Sequence, residues 1–378
     1  MMSLLCRCPI ALCPAIFLLL PLGALAAPGG KMPLVRVGED RRSFVLEGTG
    51  EKFVPWGFNY DHDEKGRLIE DYWAEEWDKV AEDFREMKEL GANVVRVHLQ
   101  LGKFMKTADT PDRDSLEKLG KLLGLAERVG LYLDLTGLGC YHKKDVPAWY
   151  DPLDEAGRWE VQARFWEAVA RTCAESPAVF CYDLMNEPVV PGGKGKREDW
   201  LGPALGDKHF VQFITLETKG RERPEIARQW VGTLVRAIRK HDRRHLITVG
   251  LVPWSLDRPG LTSGFVPEKV AGELDFVAVH IYPESGKVAE ALKTLEGFAV
   301  GKPVVVEEMF PLKCSTEELA KFVKESEKVA AGWVGFYWGK TPEELGKAKT
   351  IAEAITLNWL EFFQERAREI GKQGNPNP

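Results

Sequence analysis

Hydrophobic positions along this chain fall into short β-branched and aromatic runs, each followed by a longer stretch in which apolar residues recur at helical spacing. Runs such as Ala178 to Leu184 and Pro303 to Val306 are apolar nearly throughout, which is the mark of strands covered on both faces, as in a parallel sheet. The runs end near Phe58, Val97, Thr136, Leu184, Gly250, Ile281, Glu308 and Trp338, with helical stretches such as Trp77 to Leu90, Leu116 to Val129 and Trp159 to Cys173 between them. Eight strand–helix units predict an α/β chain folded as a (β/α)8 TIM barrel. A doubly wound open sheet would want a Gly-rich phosphate turn after its first strand, and Gly57-Phe58-Asn59-Tyr60 is not one. Val35 to Leu46 predicts a small N-terminal hairpin. A last helix from about Thr350 to Ile370 turns Ile351, Ile355, Leu357, Leu360 and Phe363 toward the barrel, and the tail 371–378 should fray. The gap from Leu184 to Gly250, 66 residues (250 minus 184), predicts a long loop after the fourth strand, a cleft wall rather than a linker.

Composition narrows the partners. With 44% hydrophobic and 29% charged residues over 378, the chain can bury a sizeable core, so disorder is excluded. A net charge of -6 and the lack of any Lys/Arg-rich run exclude a nucleic-acid partner. From Cys8 to Gly30 there is no charged residue, and Ala24-Leu25-Ala26 is a small-x-small cleavage signal, so residues 1–26 read as a signal peptide. An uncleaved anchor is the rival, but Pro9, Pro14 and Pro21 break the helix it would need. The expectation is a secreted or periplasmic monomer, free of the membrane after cleavage, with one catalytic domain over 27–378. Cys140, Cys173, Cys181 and Cys314 remain after cleavage, as one or two disulfides or as buried thiols. Asp61-His62-Asp63 looks like a metal tripeptide but reads better as a polar loop, so neither metal nor cofactor is expected.

Two carboxylates stand out by position. Glu187 follows the fourth strand in Leu184-Met185-Asn186-Glu187-Pro188, and Glu308 closes the seventh in Val304-Val305-Val306-Glu307-Glu308-Met309. Parallel strands of a barrel end on one rim, where barrel enzymes keep their chemistry. Two glutamates across that rim supply what glycosidic cleavage requires, one to protonate the leaving oxygen and one to attack or stabilise the anomeric carbon. The plainer alternative is that either glutamate merely pairs with a nearby arginine.

Asn186-Glu187-Pro188, with the second glutamate on the seventh strand, resembles clan A glycoside hydrolases, and glycoside hydrolase family 5 (cellulases, β-mannanases and relatives) in particular. Gly91-Ala92-Asn93-Val94-Val95-Arg96 is similar to that family's second strand, Asp275 through His280-Ile281-Tyr282 to its sixth, and Gly335-Phe336-Tyr337-Trp338 to its eighth. The resemblance runs from about Phe44 to Phe363, and five elements in register are a far stronger signal than one Asn-Glu-Pro. It implies a retaining β-glycosidase acting on a β-1,4-mannan or β-1,4-glucan type of polysaccharide. Glu187 would be the acid/base and Glu308 the nucleophile. Arg96 and Tyr282 would hold Glu308, Asn186 the sugar's 2-hydroxyl, His280 would orient Glu187 or a sugar hydroxyl, and Trp338 would floor the site. A core ion pair for Arg96, a satisfied buried imidazole for His280 and core filling for Trp338 are the alternatives. An exo-acting enzyme on short oligosaccharides, a noncatalytic sugar-binding barrel, and an inverting or metal-dependent hydrolase are the rival functions.

Three departures from the family pattern bear on the site. Thr136 stands where the third strand of family members carries a histidine, which leaves His98 or His142 to fill that volume. Glu307 precedes the nucleophile where a small residue is usual, although some fungal β-mannanases look similar; alternation along a strand predicts that only one of the pair faces the site. Phe310-Pro311 replaces an aromatic-Gly ending. Trp254 after the fifth strand, Trp149 and Tyr150 after the third, and Trp200 and Phe210 in the long loop are candidate sugar platforms.

Overall fold

The apolar runs become eight parallel strands because each must bury both faces, one against the barrel interior and one against a ring of helices. A computed structural model describes residues 32–193 and 195–374. The expected signal peptide, residues 1–26, lies outside them. Three short strands come first, β1 (Val35–Val37), β2 (Phe44–Leu46) and β3 (Lys52–Phe53), paired antiparallel in the order β1-β2-β3. The first four barrel strands are β4 (Trp56–Tyr60), β5 (Val94–Gln100), β6 (Tyr132–Gly139) and β7 (Val179–Asn186). Two short strands of the long loop, β8 (Pro188–Val189) and β9 (Gln212–Phe213), pair with each other. The barrel then resumes with β10 (Leu246–Leu251), β11 (Val277–His280), β12 (Val304–Glu308) and β13 (Gly332–Phe336), and it closes where β10 pairs with β7 and β13 with β4.

The expected hairpin therefore exists and gains a third strand. It plugs the lower mouth of the barrel: Phe44 meets Phe180 and Phe276 edge-on at ring separations of 5.3 and 5.4 Å, and Phe53 meets Tyr132 at 5.1 Å. Val94, Val305 and Val334 complete this apolar floor from inside the barrel.

The outer helices start and stop where local chemistry says they should. Asp112 accepts a hydrogen bond from the Ser115 amide to open the helix Arg113–Val129, which ends on Gly130 in the left-handed conformation (φ 76°). Ser315 and Glu318 form a reciprocal capping box at the start of Thr316–Ser326. In the last helix, Ile351–Gly374, the aromatic face carries the packing, with Phe363 stacked on Phe58 at 3.8 Å and on Trp56 at 4.7 Å. Ile351 departs from the expected barrel-facing set. It is the first residue of the helix and is 81% exposed.

The long loop is a wall, as its length predicts. His209 donates its amide to the Tyr141 carbonyl at 2.8 Å and Gln212 donates Nε2 to the Leu138 carbonyl at 2.9 Å, which fastens the loop to the end of β6. Cys140, Cys173, Cys181 and Cys314 are free thiols, the first three buried, so of the two alternatives the thiols hold and no disulfide forms among the described residues.

Candidate active site

Above the apolar floor the barrel interior turns charged. Alternation carries Asn59 inward from β4, Arg96 and His98 from β5, Asp134 and Thr136 from β6, Asp183 from β7, His280 from β11 and Glu307 from β12, and each of them is buried. Burying that many polar groups is costly unless each finds a partner, and Arg96 is the common one. Its Nη1 donates to Asn59 Oδ1 at 2.9 Å and to Glu308 Oε1 at 2.7 Å; its Nη2 donates to Asp183 Oδ2 at 2.7 Å and to Asn186 Oδ1 at 3.0 Å. Burial works against its charge, but Glu307, Asp183 and Glu308 outweigh that and hold the guanidinium protonated.

Glu308 is gripped at both oxygens, Oε1 by Arg96 and Oε2 by the Tyr282 hydroxyl, which donates at 2.6 Å. Glu187 sits across from it. Its backbone adopts φ +49°, a left-handed conformation that is strained for a side chain of this size. Two main-chain bonds hold it there, Glu187 N to Gly250 O at 3.0 Å and Gln212 N to Glu187 O at 3.4 Å. His280 lies between the two glutamates, with Nδ1 3.0 Å from Glu187 Oε1 and 3.5 Å from Glu308 Oε2. One oxygen of Glu187, a ring nitrogen of His280 and one oxygen of Glu308 all lie within 4.8 Å of one another. Burial disfavours the imidazolium, yet Glu308, Glu187 and Glu307 raise His280 to about 10, so both ring nitrogens carry protons.

The structure thus brings Arg96, Asn186, Glu187, His280, Tyr282 and Glu308 together. Trp338 lies past the end of β13, stacked on Phe336 at 5.5 Å and edge-on to Phe310 at 5.0 Å. It lines a cavity of ≈ 450 Å³ with His62, Glu64, Tyr337, Lys340 and Leu345. A larger cavity, ≈ 930 Å³, opens between the loops after β6 and β7 and contains none of the converged residues. Trp254 stands apart from the cluster, 41% exposed in the short turn Pro253–Ser255 after β10. Trp200 and Tyr150 are buried under the Arg158 guanidinium, 4.2 and 3.7 Å from the two rings, which makes them packing residues rather than sugar platforms.

One expectation is corrected. Alternation would turn one of Glu307 and Glu308 away, but β12 bulges: Val279 pairs with Val306 and His280 with Glu308, so Glu307 is an extra residue and both carboxylates reach the interior. Glu307 lies deeper, fully buried, with Oε2 3.3 Å from His280 Nε2, while Glu308 keeps 9% exposure at the rim.

The missing third-strand histidine is also accounted for. Thr136 donates its hydroxyl to Asp183 Oδ2 at 2.8 Å and plays no part at the rim. His98 takes the polar position instead, with Nδ1 accepting from the Tyr141 hydroxyl and Nε2 3.3 Å from Asn59 Oδ1; burial and Arg96 keep it neutral. His142 stays in its loop, 3.7 Å from Asp207. Reading the sequence missed Asn59, Asp134 and Asp183, although a polar residue at an inward position of an apolar strand was the available signal. Asp63 is spent on its own loop, accepting from Arg67 Nε at 2.9 Å. Among the described residues, the groups spaced like metal ligands are Glu187-His280-Glu308 and Asp134-Asp183-Glu307. The second set already surrounds the Arg96 guanidinium, whose Nη2 lies 2.7 Å from Asp183 Oδ2 and 3.5 Å from Glu307 Oε2.

Among the described residues no helix is long and apolar enough to cross a membrane. A comparison with curated protein sequences returned no match. Among solved structures, the chain is similar to the exo-β-1,4-mannosidase Op5Man5 from Opitutaceae bacterium strain TAV5, at 17% identity and TM-score 0.67 over 89% of this chain and 63% of that one. The chain therefore spans less than two thirds of that relative. It is also similar to the endo-1,4-β-mannanase of Rhizomucor miehei, at 17% identity and TM-score 0.59 over 89% of this chain and 99% of that one. A third likeness is to a GH5_18 protein from Streptomyces cattleya solved with Manβ1-4GlcNAc, at 16% identity and TM-score 0.61 over 86% and 82% of the two chains. The model of the cellulase family, glycosyl hydrolase family 5, matches residues 49–341, well over half of the sequence. With that match on an eight-stranded barrel whose rim carries paired glutamates, the chain belongs to glycosyl hydrolase family 5.

Proposed function

We propose that this protein is a secreted, monomeric, retaining β-glycosidase whose single catalytic domain, residues 27–378, hydrolyses a β-1,4-mannan or β-1,4-glucan type of polysaccharide. The observation that carries the reading is the closeness of Glu187 and Glu308, whose oxygens approach within 4.8 Å. Retaining enzymes hold their carboxyl groups about 5 to 5.5 Å apart, whereas inverting ones leave about 6.5 to 9.5 Å for a water.

Glu187 donates a proton to the leaving oxygen while Glu308 attacks the anomeric carbon, giving a glycosyl ester on Glu308. Glu187, now a carboxylate, takes a proton from the incoming water, which displaces the sugar from Glu308 and restores both residues. Arg96 and Tyr282 fix the two oxygens of Glu308 so that attack needs little reorganisation. Asn186, held by Arg96 and by the Phe210 carbonyl, presents its amide toward the 2-hydroxyl. Mannose-linked substrates are favoured over glucan because an endo-mannanase, an exo-mannosidase and a Manβ1-4GlcNAc complex are among the structural likenesses. Export is supported by the uncharged run Cys8 to Gly30 and its Ala24-Leu25-Ala26 site.

The test is release of reducing ends from β-mannan, β-1,4-glucan, xylan and β-1,3-glucan by the chain lacking residues 1–26, beside Glu187→Ala and Glu308→Gln. Release from β-mannan with retained configuration, abolished in both variants, is the expected result. Silence of the folded chain on all four polymers would overturn the reading, and inverted product would overturn the double displacement.

A further inference from the structure

We infer that Glu307, the residue just before the candidate nucleophile, is a positioning residue: its buried carboxylate holds the His280 ring from below, so that the ring's other nitrogen is presented to Glu187 and Glu308. The inference rests on the catalytic roles proposed above for those two glutamates. Alternation from the inward Val305 turns Glu307 into the barrel, and the bulge in β12 brings Glu308 to the same side, so that both carboxylates reach His280.

Its surroundings are built around that contact. Glu307 Oε2 lies 3.3 Å from His280 Nε2 and 3.5 Å from Arg96 Nη2, all three groups fully or almost fully buried. Gly250 leaves the room: a Cβ there would stand 2.9 Å from His280 Nε2 and 3.1 Å from Glu307 Oε2. The other oxygen of Glu307 and Oδ1 of Asp134 are buried without a partner, and Asp134, Asp183 and Glu307 bring carboxylate oxygens within 4.8 Å of one another. A proton shared between Asp134 and Glu307 satisfies both. Burial and Glu307 together push Asp134 up, so it is the neutral partner, while burial raises Glu307 less than Arg96 and His280 lower it. The groups facing Glu307 and His280 are Arg96 and His98 from β5, Asp134 from β6, Cys181 and Asp183 from β7, Glu187 beyond β7, Glu308 from β12, and Tyr282 beyond β11.

The consequence is a cation that survives the reaction. Ester formation on Glu308 removes one of the negative charges beside His280, at the step when Glu187 has given up its own proton. Glu307 keeps its charge throughout, so His280 remains an imidazolium able to donate through Nδ1 to Glu187 in both half-reactions.

Glu307→Gln preserves size and removes the charge; Glu307→Asp keeps the charge. Ring-nitrogen NMR of histidine-labelled protein follows His280 in each chain without any substrate. Both ring nitrogens of the parent should stay protonated from about pH 5 to about 9, and Glu307→Gln should lower the His280 titration by about one unit or more. On the polymer the parent hydrolyses, Glu307→Gln should lose about 10- to 100-fold in kcat with KM within about threefold, and the alkaline limb of its pH profile should move to lower pH. Glu307→Asp should recover part of both. An unchanged His280 titration, or kcat within about twofold of the parent and an unmoved alkaline limb, would overturn the inference. If the variants fail to fold, a parent His280 that turns neutral below about pH 7 overturns it as well. A parent that hydrolyses nothing but shows the protonated ring and its shift would remove the proposed function while keeping the Glu307–His280 link.

Discussion

The lower and upper halves of the barrel interior are built from the same strands and follow opposite rules. Below, Val94, Phe180, Phe276, Val305 and Val334 meet the plug residues Phe44 and Phe53 in a sealed apolar layer. Above, further along the same chain segments, Arg96, Asp183, His280 and Glu307 form a buried ionic cluster that opens at the rim onto Glu187 and Glu308. Apolar burial is non-directional and tolerant, so the lower half stabilises. Buried charges are costly and highly directional, so the upper half contributes little net stability but fixes where each carboxylate points.

If the halves are separable in this way, variants should separate them too. The largest effect belongs above: Glu308→Gln should lower kcat/KM by roughly 10⁴-fold, with a melting temperature equal to the parent's or higher. A matching loss of stability would break the contrast. Below, Phe44→Ala should cost about 3 to 5 kcal/mol in denaturant unfolding while kcat of the folded fraction stays within about twofold. A large kcat change there would mean that the floor positions the site after all.

The pH dependence of stability should belong to the upper half. His280 is raised to about 10 from an ordinary 6.5, so its contribution is complete below 6.5 and is lost as pH climbs to about 10. Asp183, raised by burial and Glu307 to about 6 from 3.8, acts in the same sense at lower pH: its contribution is present below 3.8 and gone by about 6. Melting temperature should therefore fall between about pH 6.5 and 10, and His280→Gln should flatten that fall while Phe44→Ala leaves its shape unchanged. At the seam between the halves, Gly250→Ala should cost about 1 to 3 kcal/mol by overpacking His280 and Glu307, read as lost stability and lost kcat together. The smallest effect lies outside both: Trp254→Ala should raise KM on polymer by about fivefold or less, without a change in melting temperature.

Much of this layout was legible in the chain. Strands buried on both faces leave apolar runs that cannot hide, so strand count, order and ends near Leu184, Gly250 and Glu308 match β7, β10 and β12 closely. Glu187 and Glu308 were legible for the same reason, since a charged side chain at the end of such a run is expensive unless partnered or used, whereas Arg96, Asn186, His280 and Tyr282 were legible only through the family resemblance. Loop aromatics were not. Trp200 and Tyr150 look like sugar platforms until Arg158, from the helix Glu155–Cys173, is seen lying across both rings. Ile351 likewise fits the helical period of its segment yet is left exposed.

Hydrophobic period and strand order are properties of short stretches of chain, and for this protein the sequence alone determined the barrel and the set of side chains that gather at its rim. The choice between turning one or both of two consecutive glutamates inward, Glu308 to Tyr282 and Glu307 to the underside of His280, was made only in the tertiary structure. That choice depends on one unpaired residue where β12 runs beside β11, and a bulge belongs to the pairing of two strands distant in sequence, not to either strand by itself.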